Sequence, residues 1–96
     1  MKQIFTVSQI NSYIRRIFDS DYALRKIFLK GEVSNCKYHS SGHIYFTLKD
    51  AHSTIRCVMF ANDRAKGLHF RLENGQMVIV QGNISVFERD GSYQLY

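Results

Sequence analysis

Two short stretches of this chain carry side chains with binding chemistry at every second position. In the first, His43, Tyr45, Thr47 and Lys49 alternate with Ile44, Phe46 and Leu48. In the second, Arg56, Val58 and Phe60 alternate with Ile55, Cys57 and Met59. A strand sends successive side chains to opposite faces, so each stretch separates a set of rings and cations from a set suited to a core. Ring faces beside cations fit an extended polymer with flat, unpaired units on an anionic backbone. Unpaired bases stack on Tyr or Phe for about 1–3 kcal/mol each while Lys and Arg meet phosphates, and neither contact demands a particular base. Arg56, Phe60 and Tyr45 are the first candidates, since mid-strand is an unusual place for a long cation without a partner. His43, Thr47 and Lys49 share their face.

Further candidates flank these stretches. Lys37 and Tyr38 lie in the connection before the first, and Arg89 and Tyr93 lie near the end of the chain. Cys36, His39 and His43 are spaced by three and four, which invites a zinc reading because thiolate and imidazole suit that ion. The three would straddle a loop and a strand, no second cysteine pair completes the set, and Cys57 has the parity of the core. No metal site is therefore expected. Asp19, Asp21, Asp50 and Asp63 are scattered over helix ends and turns, where Asp serves as cap and turn residue. No nucleophile, base and orienting group fall together, so neither a catalytic residue nor a cofactor is expected in this segment.

The elements that must position these residues follow from periodicity. Val7, Ile10, Ile14, Ile17 and Phe18 recur at spacings of three and four, giving an amphipathic helix over about 7–19, with Thr6 and Gln9 as a capping box. Asp19-Ser20-Asp21 stops it. Strands are expected over about 26–35, with a bulge or bend at Gly31, then 42–50 and 54–61. Asn62 to Phe70 suits a short helix, and Glu73-Asn74-Gly75 is a turn signal. One long strand over 76–88 is kinked at Gly82, and Arg89-Asp90-Gly91 turns it into a last strand over 91–96.

Ninety-six residues, 45% hydrophobic and 14% aromatic, are enough for one small core and too few for two. Thirteen Lys and Arg against eight Asp and Glu leave +5, with a pI near 9.4, a balance that favours a polyanionic partner. Two cysteines and no charged-then-apolar leader point to the cytoplasm, and apolar runs such as Val78-Ile79-Val80 are far too short for a membrane. The fold class is all-β with short helices: a five-stranded Greek-key OB (oligonucleotide/oligosaccharide-binding) barrel with an N-terminal helix and a short helix between strands three and four. Such barrels take ligands across strands two and three, under the loops that join strands one to two and four to five. That selects the same residues as the alternation does.

Five segments also resemble a known family. Phe5-Thr6-Val7-Ser8-Gln9-Ile10-Asn11, Gly31-Glu32-Val33-Ser34-Asn35, the run from Ser41 to Asp50, Ile55 to Phe60 and Gly91-Ser92-Tyr93-Gln94-Leu95 are similar to the large subunit of exodeoxyribonuclease VII. The resemblance covers the whole chain. It implies a bacterial nuclease that degrades single-stranded DNA to short oligonucleotides together with copies of a small subunit. This segment would be its N-terminal, DNA-holding domain, a fragment of a longer chain whose catalytic domain lies elsewhere. His43, Tyr45, Arg56 and Phe60 stand where the motif would face DNA, whereas the loop from Cys36 to Ser40 departs from the pattern. An end at Tyr96 would leave the last strand with an open edge, which invites self-association. Two other readings stay open: a module docking on the nuclease core or small subunit through Val58 and Phe60, and an RNA-binding OB barrel.

Overall fold

The computed structural model describes residues 2–96. Helix α1 (Val7–Ser20) begins at Thr6, whose hydroxyl accepts from the Gln9 N–H at 3.1 Å while the Gln9 side chain accepts from the Thr6 N–H at 2.8 Å. The expected capping box is thus complete. Asp21 ends α1 and caps a second, one-turn helix α2 (Tyr22–Arg25), its carboxylate accepting from Ala23 and Leu24. The sequence reading had only a stop there.

Among the described residues the strands β1 (Ile27–Tyr38), β2 (Ile44–Lys49), β3 (Thr54–Met59), β4 (Met77–Gly82), β5 (Ile84–Phe87) and β6 (Ser92–Leu95) form one sheet in the order β4-β1-β2-β3-β6-β5. Helix α3 (Ala61–Gly67) joins β3 to β4. β4 and β5 are the two halves of the expected long strand, parted only at Asn83. Asn83 exchanges two backbone hydrogen bonds with Tyr96, so pairing runs on through the break. One half pairs with β1 and the other with β6, and the kinked strand thereby bends the sheet back on itself. Gly82 is needed at that kink: a Cβ there would run into the Tyr96 carbonyl oxygen.

The alternation places the core. Ile44, Phe46 and Leu48 of β2 are at most 5% exposed and meet Val33, Cys57, Ile84 and Leu95 from the neighbouring strands. Burying each such side chain contributes roughly 1.5–3 kcal/mol. Leu72, from the segment between α3 and β4, joins them although no period marks it.

Two expectations are corrected. The irregularity in β1 lies between Ser34 and Lys37, where Asn35 adopts φ 50°, and not at Gly31. Gly31 pairs regularly with Val78, and its missing Cβ leaves room for Leu48 and the Lys49 backbone. The strand therefore runs on past the expected end at 35 to Tyr38 and takes in Cys36, Lys37 and Tyr38. Second, β6 does not present an open edge, since it is flanked by β5 on one side and pairs with β3 at Cys57 and Leu95 on the other. Helix α1 meets the barrel with its polar side. Asn11 donates to the Glu88 carbonyl, Arg15 pairs with the Glu88 carboxylate at 3.0 Å, and Asp19 accepts from the Ser85 hydroxyl. Phe18 alone of the apolar set packs on the core, with its ring against Tyr93, while Val7, Ile10, Ile14 and Ile17 stay exposed.

Candidate nucleic-acid interface

Strand register brings the candidate residues into rows. Lys37 of β1 lies opposite Tyr45 of β2, which lies opposite Val58 of β3. One step along, Ser34, Thr47 and Arg56 form a second row. Adjacent strands are about 4.8 Å apart, so each row spans about 10 Å, the reach of a nucleotide or two. Lys37, Tyr45, Thr47, Arg56 and Phe60 all line one open cleft of about 550 Å³. Val58, 9% exposed, forms its floor.

The local causes are plain. Because Ile44, Phe46 and Leu48 must be inside, Tyr45 and Thr47 must be outside; because Cys57 is inside, Arg56 and Val58 take the outer face of the sheet, where Arg56 is exposed and Val58 is covered. The Asp50 carboxylate accepts from the His52 and Ser53 N–H groups at 2.8 and 2.9 Å and fixes the β2–β3 turn and hence that register. Those bonds hold the Asp50 carboxyl below the usual carboxylate range, the His52 bond more than the Ser53 bond. Burial pushes the Cys57 thiol up to about 12, as expected of a core sulfur.

Three residues that the sequence reading missed complete the cleft: Phe87, Gln94 and Tyr96. Tyr96 stacks on Phe60 with centroids 5.9 Å apart and planes 17° from parallel. A signal for two of them was present. Leu95 is a core residue, so Gln94 and Tyr96 have the outward parity and Tyr93 does not. Tyr93 lies instead against Phe18 of α1 and is absent from the cleft.

The remaining candidates are placed elsewhere. His43 accepts from the Ala61 N–H through Nδ1 at 3.0 Å, giving the first turn of α3 an acceptor that its N-cap Phe60 lacks. It also presents an edge to Phe60 at 5.3 Å, so it orients the ring without lining the cleft. Lys49 sits at the far end of β2, paired with Glu32 at 3.4 Å. The Tyr38 hydroxyl donates to the Leu72 carbonyl at 2.9 Å and accepts from the Leu72 N–H at 2.8 Å, a tether that holds the core plug. Arg89 is exposed on the β5–β6 hairpin and borders a neighbouring depression with Arg15 and Phe87.

Cys36, His39 and His43, whose spacing invites zinc, have separate tasks. Cys36 Sγ lies 3.5 Å from the Leu72 carbonyl, His39 bonds Ser41, and His43 serves α3. Among the described residues no three His, Cys, Asp or Glu side chains gather as a metal site, and no helix is long and apolar enough to cross a membrane.

This geometry, a curved sheet with rings and cations across β1, β2 and β3, is that of an oligonucleotide-binding barrel. Residues 5–96 match the family model described as OB-fold nucleic acid binding domain, and the chain belongs to that family. It is 62% identical over its whole length to the exodeoxyribonuclease 7 large subunit of Lachnoclostridium phytofermentans, of which it spans 24%. Similar relatives are the exodeoxyribonuclease 7 large subunits of Clostridium botulinum strain Loch Maree, 56% identical over 95% of this chain and 22% of that one, and of Ruminiclostridium cellulolyticum, 51% identical over all of this chain and 24% of that one. The chain thus spans about a quarter of the length of these relatives. Among solved structures, asparaginyl-tRNA synthetase from Pyrococcus horikoshii is similar in fold alone, with a TM-score of 0.60, 20% identity, and coverage of 88% of this chain and 20% of that one.

Proposed function

We propose that this domain holds single-stranded DNA for an exodeoxyribonuclease VII large subunit, with hydrolysis performed by other parts of a longer polypeptide. The observation that carries this is the shared cleft of Lys37, Tyr45, Arg56, Phe60 and Tyr96, which places two cations among three rings on one face. Bases stack on the rings, phosphates meet Lys37 and Arg56, and the contacts are indifferent to base identity. The relatives' name, read with this cleft, supports DNA as the polymer. The five aspartates are spread over α1, the cap of α2, the β2–β3 turn, α3 and the β5–β6 hairpin, and Asp19, Asp21 and Asp50 are engaged in hydrogen bonds with Ser85, Ala23 and His52. On this reading the domain is a non-catalytic holder that needs no cofactor, acts in the cytoplasm, and meets a small subunit through the rest of the polypeptide.

Fluorescence anisotropy with a labelled oligothymidine tests this. Salt-sensitive, sequence-tolerant binding that weakens in Arg56→Ala and Phe60→Ala is expected. Unaltered affinity in both variants would remove the proposed face.

The structure favours protein docking at a different place from the one the sequence suggested. Val58 lies at the bottom of the cleft, out of reach of a flat protein surface, and Phe60 stacks on Tyr96 in the cleft lining, whereas Ile10, Ile14 and Ile17 form an exposed apolar face on α1. Docking onto another part of the longer polypeptide through α1 leaves the cleft free, so Ile14→Ser is expected to spare DNA affinity.

A further inference from the structure

Beside the cleft, on the other side of Phe60, two guanidinium groups converge on one ring. The Arg64 and Arg71 guanidinium carbons lie 4.9 and 4.5 Å from the Tyr38 ring centroid. They are therefore closer to each other than the ~10 Å over which 0.1 M salt screens charge. Compensation is sparse: Arg71 meets Glu73 at 3.5 Å with both side chains largely exposed, and Arg64 takes part in no ion pair among the described residues. The ring and one of the two cations are also held in place. Tyr38 is pinned through its hydroxyl to both backbone groups of buried Leu72, and Arg64 donates to the Gly42 carbonyl at 3.3 Å. Two like charges gathered on one ring are positioned for an anion, since part of the cost of bringing them together is already met by the fold.

The surroundings point to a particular anion. Arg64, Arg71 and Tyr38 line a shallow depression of about 580 Å³ together with His69 and Phe70, the latter 54% exposed. This depression also reaches Ala61, the residue after Phe60, so the lining of the cleft adjoins the lining of the depression where β3 gives way to α3. An exposed ring beside a guanidinium pair repeats the chemistry of the cleft.

We propose that the Arg64–Tyr38–Arg71 stack is a second phosphodiester-binding subsite, which takes the backbone of a DNA strand that leaves the cleft past Phe60. The inference rests on the reading of the cleft as a single-strand site and lengthens it. A strand too short to reach past Phe60 gains nothing from the stack; a longer one gains two phosphate contacts.

The test compares labelled oligothymidines of about 5 and about 15 nucleotides across a salt series, by anisotropy, with the folded state of each variant checked by thermal melting. The double variant Arg64→Gln/Arg71→Gln is expected to bind the long oligomer roughly tenfold or more weakly and to reduce its salt slope by about 1.4, near 0.7 per lost contact, with the short oligomer unaffected. Arg64→Lys/Arg71→Lys retains the charges and is expected to keep the salt slope even if the glutamine variant folds poorly. Equal weakening at both lengths, or an unchanged slope for the long oligomer, would overturn the subsite while leaving the cleft intact. Arg56→Ala should weaken both lengths. If the unaltered domain binds neither oligomer at low salt, the cleft reading and the subsite fall together.

Discussion

The rings of Phe60 and Tyr96 lie nearly parallel, 5.9 Å apart, and join the end of β3 to the end of β6 at one limit of the cleft. Neither ring is within either strand's regular pairing, yet their stacking defines a platform against which a base can lie. Phe60→Ala is expected to weaken binding of an oligothymidine by about 1–3 kcal/mol, the usual worth of one stacked base. Titration by anisotropy reads this directly, and a change below a few tenths of a kcal/mol would mean the platform is not used.

Arg56 has a competitor. Asp90, on the β5–β6 hairpin, approaches its guanidinium at 4.0 Å, and both side chains are well exposed. Such a pair contributes little to folding. A phosphate must displace or share that carboxylate, so Asp90→Asn is expected to raise DNA affinity a few-fold at low salt, with thermal stability within about 0.5 kcal/mol of the original. A loss of affinity would show that the hairpin carboxylate orders Arg56 and does not compete for it.

Gly82 is the point at which the barrel bends, with the Tyr96 carbonyl packed where a side chain would begin. Gly82→Ala must push the ends of β4 and β6 apart, and a cost of about 1–3 kcal/mol or more is expected in urea unfolding. Because Tyr96 carries half of the ring platform, weaker DNA binding should accompany the lost stability.

The exposed side of α1 and the core of the barrel should respond in opposite ways to similar changes. Phe46→Ala removes a ring that is 5% exposed and is expected to cost about 3–5 kcal/mol. Ile14→Ser, on the outward side of α1, should stay within about 0.5 kcal/mol of the original. Chemical denaturation of both variants decides it; a large loss in the second would mean that α1 turns its apolar side inward in solution.

Cys57 gives a pH signature. Its thiol is raised by burial from an ordinary value of 9.0 to about 12. In the unfolded chain the thiol ionises near its ordinary value, while in the folded chain it stays protonated until pH reaches about 12. The stabilising difference is therefore fully present below about pH 9 and is lost as pH rises from there towards 12. Urea unfolding between pH 7 and 11 should show this decline, reduced in Cys57→Ala. Thiol reagents at pH 8 should modify half-buried Cys36 before Cys57.

Much of this was legible without coordinates. The strict alternation from His43 to Lys49 determines by itself that Ile44, Phe46 and Leu48 are core and that Tyr45 and Thr47 are not, because a one-residue slip would move an entire apolar set into water. The same logic holds for Cys57 and Arg56. Thr6 and Gln9 fix where α1 begins, since the bonds that start a helix are made within a few residues of each other. Everything decided by neighbours far along the chain lay out of reach. Whether Lys37 is loop or strand depends on the irregularity at Asn35 and on its partner Tyr45. Whether the apolar side of α1 faces inward depends on Glu88 and Ser85, which claim its polar side. The roles of His43, as acceptor for α3, and of Tyr38, as tether of Leu72 and ring partner of two arginines, arise only once segments distant in sequence are folded together. Periodicity records which face a side chain takes; only tertiary packing decides what it finds there, because hydrogen bonds, stacks and ion pairs require atoms at contact distance.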